Sequence, residues 1–244
     1  ISGNVTNNGN DLTIGGAGST TVGGVIDGTG ILVKDGTGTL TLNSANSYAA
    51  TILSNGWLVV GQNSALSTGL LTMAGGTLSV SGTRLLSNNV SLASDGTIDT
   101  AGNRLSIAGT IAGANDLFKT GTGTLTFLGT NTYTGATYVD QGQIVLGATG
   151  VLTNSTVTPR VNGGLLFSND TSFLVGGLAG SGNFNLTNTA NQAVGLTVGN
   201  NNASTSYSGV MAGSGTLTKT GSGKLELTGN NTFTGGTVVN SGTL

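Results

Sequence analysis

The sequence predicts an all-β protein, a parallel β-helix in which short strands wind around a common axis. Three observations carry this expectation. One unit recurs three times along the chain, strand-length stretches alternate apolar and polar residues, and the composition is rich in glycine and poor in charge. No apolar stripe of 3.6-residue period is present, so no helix is expected.

The repeat comes first because it decides the class. Residues 34–42 read KDGTGTLTL, residues 119–127 read KTGTGTLTF and residues 219–227 read KTGSGKLEL. An aromatic follows each at the same distance: Tyr48, Tyr133 and Phe233. The segments TILSNGWL, TYVDQGQI and TVVNSGTL come next and bring Gly56, Gly142 and Gly242 into register. Upstream, LTI, LSI and LTV (from Leu12, Leu105 and Leu196) lead through glycine-rich links into the lysine. The repeat units therefore span approximately 12–74, 105–162 and 196–244.

Within a unit, Thr39-Leu40-Thr41-Leu42 alternates faces, with both leucines inward. Each strand buries two or three apolar side chains, worth roughly 1.5–3 kcal/mol apiece. That does not offset the ordering entropy of an isolated unit, so the units must stack into one continuous core. Turns of about 20–25 residues give a rod of roughly ten to twelve turns with strands ~4.8 Å apart. If the copies stack in phase, Leu40, Leu125 and Leu225 fall on one inward column. Asn55-Gly56 and Ser241-Gly242 are expected corners, and asparagines stacked there are expected to satisfy one another. Lys34, Lys119 and Lys219 are expected to be solvated residues at strand ends. Tyr48, Tyr133 and Phe233 are expected to plug a corner of the core rather than to form a sugar platform.

Composition narrows the function. The chain has 244 residues with 45 Gly, one Pro, no Cys and no His. Without Cys and His, disulfides, thiolate nucleophiles, Ser–His–Asp arrangements and the usual zinc sites are excluded. Seven basic residues against nine acidic ones, widely spread, leave no patch for nucleic acid. No apolar run approaches the ~18 residues of a membrane helix, so this segment is not expected to insert. A membrane barrel would want aromatic girdles, and one Trp with four Tyr supplies none. The chain begins at Ile1, and it is read as a segment of a longer protein.

The pattern K-x-G-x-G-x-L-x-L, then N-T-Y-T-G, then T-x-V-x-x-G, resembles the autotransporter-associated β-strand repeat. Residues 119–144 match it most closely, 219–244 nearly as well, and 34–60 more loosely because Ala49-Ala50 replaces Thr-Gly. The resemblance implies a right-handed parallel β-helix in the passenger of a Gram-negative autotransporter, exported across the outer membrane to the cell surface. It implies a translocator barrel elsewhere in the same protein as the first partner. Host or surface glycans and neighbouring passengers would be further partners, as for an adhesin or virulence factor.

A search for chemistry is nearly empty, and no catalytic, cofactor-binding or metal site is expected. Asp95, Asp99 and Arg104 are the least unsuitable trio for a carbohydrate-processing β-helix enzyme, which needs two carboxylates converging on a cleft. Asp27-Gly28 and Asp35-Gly36 are expected to be turns, with weak calcium binding the alternative. Glu226, the one Glu, is expected to be solvated. Thr39/Thr41 and Thr124/Thr126 have the form of a binding module that presents surface Thr rows. The expectation is thus a non-enzymatic extracellular stalk or spacer, with a lyase or glycosidase and a Thr/Asn-row binding module as alternatives.

Overall fold

The computed structural model describes Ile1 to Leu244 and contains strands and turns but no helix. Every paired strand is parallel to its neighbours. Twelve strands, from Thr20–Val22 through Thr39–Leu42 and Trp57–Val60 to Thr237–Val239, form one long sheet in chain order. A second face holds six strands from Leu12–Ile14 to Ile111–Gly113, and a third holds five from Arg84–Leu86 to Leu165–Phe167. Successive strands of one face come from successive turns, so the chain is a parallel β-solenoid of twelve turns. Leu42 is the register partner of Val60 in one of the shorter turns, and Val175 that of Val198 in one of the longer. Eleven spacings of ~4.8 Å make the rod about 53 Å long.

The alternation read in the sequence sets the inside and outside. On the long face Leu40, Leu58, Leu78 and Ile98 are register partners, and all are fully buried. On the third face Leu105, Leu125, Ile144 and Leu165 do the same. The resulting core of 46 residues runs through the stack. No single turn could hold it, which is why stacking and folding are the same event here.

The copies do not stack in phase, and the single column that in-phase stacking would give for Leu40, Leu125 and Leu225 does not form. All three are buried, but Leu40 lies on the long face, Leu125 on the third face and Leu225 on a short pair with Thr205–Tyr207. Turn length explains the rotation. From Lys34 the second-face column runs through Leu53, Met73 and Leu92 to Gly113, which completes four turns. The short stretch from Gly113 to Lys119 then carries the chain round one corner onto the long face. The second copy is therefore turned by one face relative to the first.

The final turn has nothing stacked on it. Thr237, Val238 and Val239 are all exposed, and the two valines show about half their surface. By hydrogen exchange of this chain, the amides of Thr237–Val239 should exchange orders of magnitude faster than those of Leu117–Thr120. Equal protection would mean that the chain associates end to end and covers that turn.

Candidate functional site: the lysine staple

The sequence motif becomes a physical device once the strands are in place. In Leu32-Val33-Lys34 the alternation puts Lys34 on the same side as Leu32, facing the core, and the same holds for Lys119 after Leu117 and Lys219 after Leu217. All three lysines are buried, at most 2% exposed, which overturns the solvated strand-end reading. Their register partners are apolar: Ile14 and Leu53 for Lys34, Ile98 and Val139 for Lys119, Val198 and Val239 for Lys219. The methylene stem thus lies in the apolar column while the ammonium reaches the corner.

There the ammonium finds three carbonyls. Lys34 Nζ donates to Asp35 O (3.2 Å), Gly36 O (2.7 Å) and Asn55 O (3.1 Å). Lys119 Nζ donates to Thr120 O (2.8 Å), Gly121 O (2.8 Å) and Gln141 O (3.1 Å). Lys219 Nζ donates to Thr220 O, to Gly221 O (3.0 Å) and to Ser241 O (3.3 Å). Two acceptors belong to the lysine's own corner and the third to the corner one turn later. An ammonium has three donors, and all three are used. Burial lowers the Lys119 pKa to about 8, with the Asp99 carboxylate pulling partly the other way. Lys34 is lowered for the same reason, and Asp35 opposes it.

The glycine of T-x-V-x-x-G sits directly over this corner. Gly56, Gly142 and Gly242 all have φ between +63° and +73°. A Cβ there would lie 2.5 Å from the carbonyl oxygen of Gly38, Gly121 and Gly223, respectively. Backbone conformation and space both demand glycine.

The N-x-aromatic element performs the same task at the next corner. Asn46 Oδ1 accepts from Ile26 N (2.8 Å) in the turn before, while its Nδ2 donates to Ala65 O (2.7 Å) in the turn after. Asn131 bridges Ile111 N (2.8 Å) and Val151 O (2.9 Å) in the same way. The asparagines thus satisfy the backbones of adjacent turns rather than one another. Tyr48 and Tyr133 are buried, and their hydroxyls bond Thr51 and Thr137. Burial raises both phenols above the ordinary range. Phe233 is half-buried against the core. The aromatics plug the corner, as expected.

The other candidates do not converge. Asp95 Oδ1 accepts from Asp116 N (3.0 Å), and Asp99 Oδ1 accepts from Ala101 N. Asp99 stands on the long face and Arg104, exposed, on the third. Asp35 Oδ1 caps Gly36 N (2.8 Å), and no group of three or more Asp, Glu, His or Cys gathers anywhere. Glu226 pairs with Lys224 at 3.4 Å, both half-exposed. Thr39 and Thr41 neighbour Trp57 and Val59 on the long face, whereas Thr124 and Thr126 lie on the third, so the two Thr pairs form no common row. Two shallow clefts remain. One of about 420 Å³ lies where Leu165–Phe167 fails to pair with Phe184–Asn185, and the other, of about 360 Å³, lies beside Asn63 and Asn88. Neither is lined by a charged residue.

Three outcomes test the staple. Lys119→Met keeps the stem but leaves the carbonyls of Gly121 and Gln141 without a donor, while Thr120 O still accepts from Thr100 N, and it should cost about 2–4 kcal/mol in urea unfolding. Gly142→Ala should cost at least ~2 kcal/mol, because φ and the carbonyl contact act together. The pH dependence follows from the sign of the Lys119 shift. A folded pKa of about 8 against an ordinary 10.5 means that the unfolded chain binds more protons between those values. The Lys119 share of stability therefore rises with pH from about 8 toward 10.5. The buried tyrosines act in the opposite sense above their ordinary 10.0, so the comparison belongs between pH 8 and 10. The rise should be smaller in Lys119→Met.

Comparison with curated proteins and with solved structures returns no match. A family model, the passenger-associated-transport-repeat, matches residues 32–60, 117–146 and 217–244. Each match contains one complete set of lysine, N-x-aromatic element and covering glycine. This chain is a parallel β-solenoid in which three segments, just over a third of its length, match the passenger-associated-transport-repeat, in agreement with the resemblance read from the motifs.

Proposed function

We propose that this chain is a non-enzymatic stalk section of an autotransporter passenger, which aids its own export by folding turn upon turn and then holds other parts of the passenger away from the cell surface. The observation that carries the reading is the staple. Each lysine joins its own corner to the next one along the axis, so each added turn completes the hydrogen bonds of the turn before it. A chain emerging end-first from a narrow pore can form such bonds sequentially, and folding outside the membrane opposes its return. Absence of Cys suits passage as an unfolded chain. The reading places the segment on the bacterial cell surface or outside it, linked to a translocator barrel, with adhesion a property of the displayed surface.

The test is surface display of an epitope carried at the N-terminal end of this segment within a passenger joined to its barrel. The wild-type segment should give protease-resistant passenger and full epitope exposure. The triple variant Lys34→Met, Lys119→Met, Lys219→Met should lose protease resistance and cut exposure severalfold. Undiminished exposure of a protease-sensitive passenger would separate folding from export and overturn the export half of the proposal.

A further inference from the structure

One outward column of the long face carries aromatics that the repeat does not require. Register places Thr39, Trp57, Thr77, Thr97, Phe118 and Tyr138 in line on successive turns. In the other copies the position of Trp57 is Gln143 and Thr243, that of Phe118 is Val33 and Thr218, and that of Tyr138 is Ile52 and Val238. These rings meet on one face because the second copy is turned by one face from the first.

Their arrangement is an open trough, shallower than either of the two clefts described above. Phe118 and Tyr138 stack with centroids 4.8 Å apart and planes 20° from parallel. Arg160 closes the far side of Tyr138, its Cζ 4.0 Å from the ring centroid, and is itself held by Asp140 at 2.9 Å. The stack is braced from behind, so the ring face of Phe118 toward Thr97 is presented with little ordering cost. Trp57 forms the opposite wall three rungs away, about 14 Å by strand spacing, and is 41% exposed. The floor between is Thr77 and Thr97, both partly open to solvent. Their hydroxyls and the indole N–H of Trp57 make no hydrogen bond within the chain, so all three are free to meet a ligand.

We propose that this trough between Trp57 and Phe118 binds a neutral oligosaccharide. Sugar rings offer C–H faces to aromatic walls and hydroxyl edges to a hydroxylated floor, which is the combination found here. Beside the trough Asp140 and Arg160 pair with each other, while Asp99 on the strand of Thr97, with Asp95 and Asp116 just before the strands of Thr97 and Phe118, disfavours an anionic sugar and leaves a neutral one as the fit. The gap between the walls is three strand spacings, about 14 Å, the length of a few sugar rings and far smaller than the ~800 Å² per partner that a stable protein complex buries. The site is independent of the stalk reading: display can fail while sugar binds, and sugar binding can fail while display persists.

Trp57 is the only tryptophan, so its emission reports on the trough directly. The purified chain is titrated with cellohexaose, maltohexaose and chitohexaose, each to about 10 mM, well above the weak millimolar range. At least one should give a saturable emission change, and Phe118→Ala should weaken that binding about fivefold or more, the scale of one aromatic contact. Leu128→Ala, exposed and outside the trough, should leave it unchanged, with circular dichroism confirming that both variants fold. The proposal is overturned if no sugar shifts the emission, if Phe118→Ala binds like wild type, or if the emission follows protein concentration instead of sugar, which would show a second copy covering the face.

Discussion

A solenoid must turn a corner every few residues, and each corner leaves backbone carbonyls that no strand can satisfy. In this chain the partner is a buried ammonium. An unpartnered buried carbonyl would cost about 1–3 kcal/mol, and at each part-buried staple two or three carbonyls have the lysine as their one donor. Desolvating a cation is costly as well, and the downward shift of Lys119 shows that the cost is not fully offset. What the arrangement supplies is registration. The lysine cannot reach its third carbonyl, that of Asn55, Gln141 or Ser241, unless the next turn lies directly above with its glycine in place. Hydrophobic columns of leucine and isoleucine tolerate some sliding, whereas three directed bonds do not.

The same reasoning explains why the repeat spans two turns. Lysine and covering glycine lock one corner, and asparagine with its aromatic locks another, each reaching one turn along the axis. Between the staples, turns such as Leu71–Met73 and Val90–Leu92 rely on apolar columns, ladder bonds and single asparagine bridges such as Asn88 Nδ2 to Gly69 O (2.7 Å). Surface ion pairs add little: Lys224 with Glu226 is half-exposed at 3.4 Å, and such pairs are worth ~0–1 kcal/mol. The stack is held by its columns and made unique by its corners.

Much of this was legible in the sequence. Repetition and alternation led to the parallel β-helix, and the inward leucines followed from strand parity. The lysine site was legible too, because in Leu32-Val33-Lys34 parity places Lys34 beside Leu32. The expectation of exposure failed because it weighed residue type above position. The rotation between copies was not legible. It depends on whether the stretch from Lys34 to Lys119 makes a whole number of turns, and a turn length known only approximately cannot decide that. Along the observed column, four whole turns end at Gly113, short of Lys119 by enough chain to reach the next face.

That remainder has a consequence for surface design in any such repeat. If every copy stood in phase, one face would show the same outward residues again and again, and a substitution useful on that face would recur only every four or five turns. A phase shift brings non-equivalent positions of different copies side by side. Trp57 from the first unit and Phe118 and Tyr138 from the second share a column although no two of them occupy the same place in the motif. Core and corners constrain the inward residues of each unit, while link length alone sets which outward residues become neighbours. A repeat can therefore keep its staples intact and still compose new surfaces by changing the length of a loop.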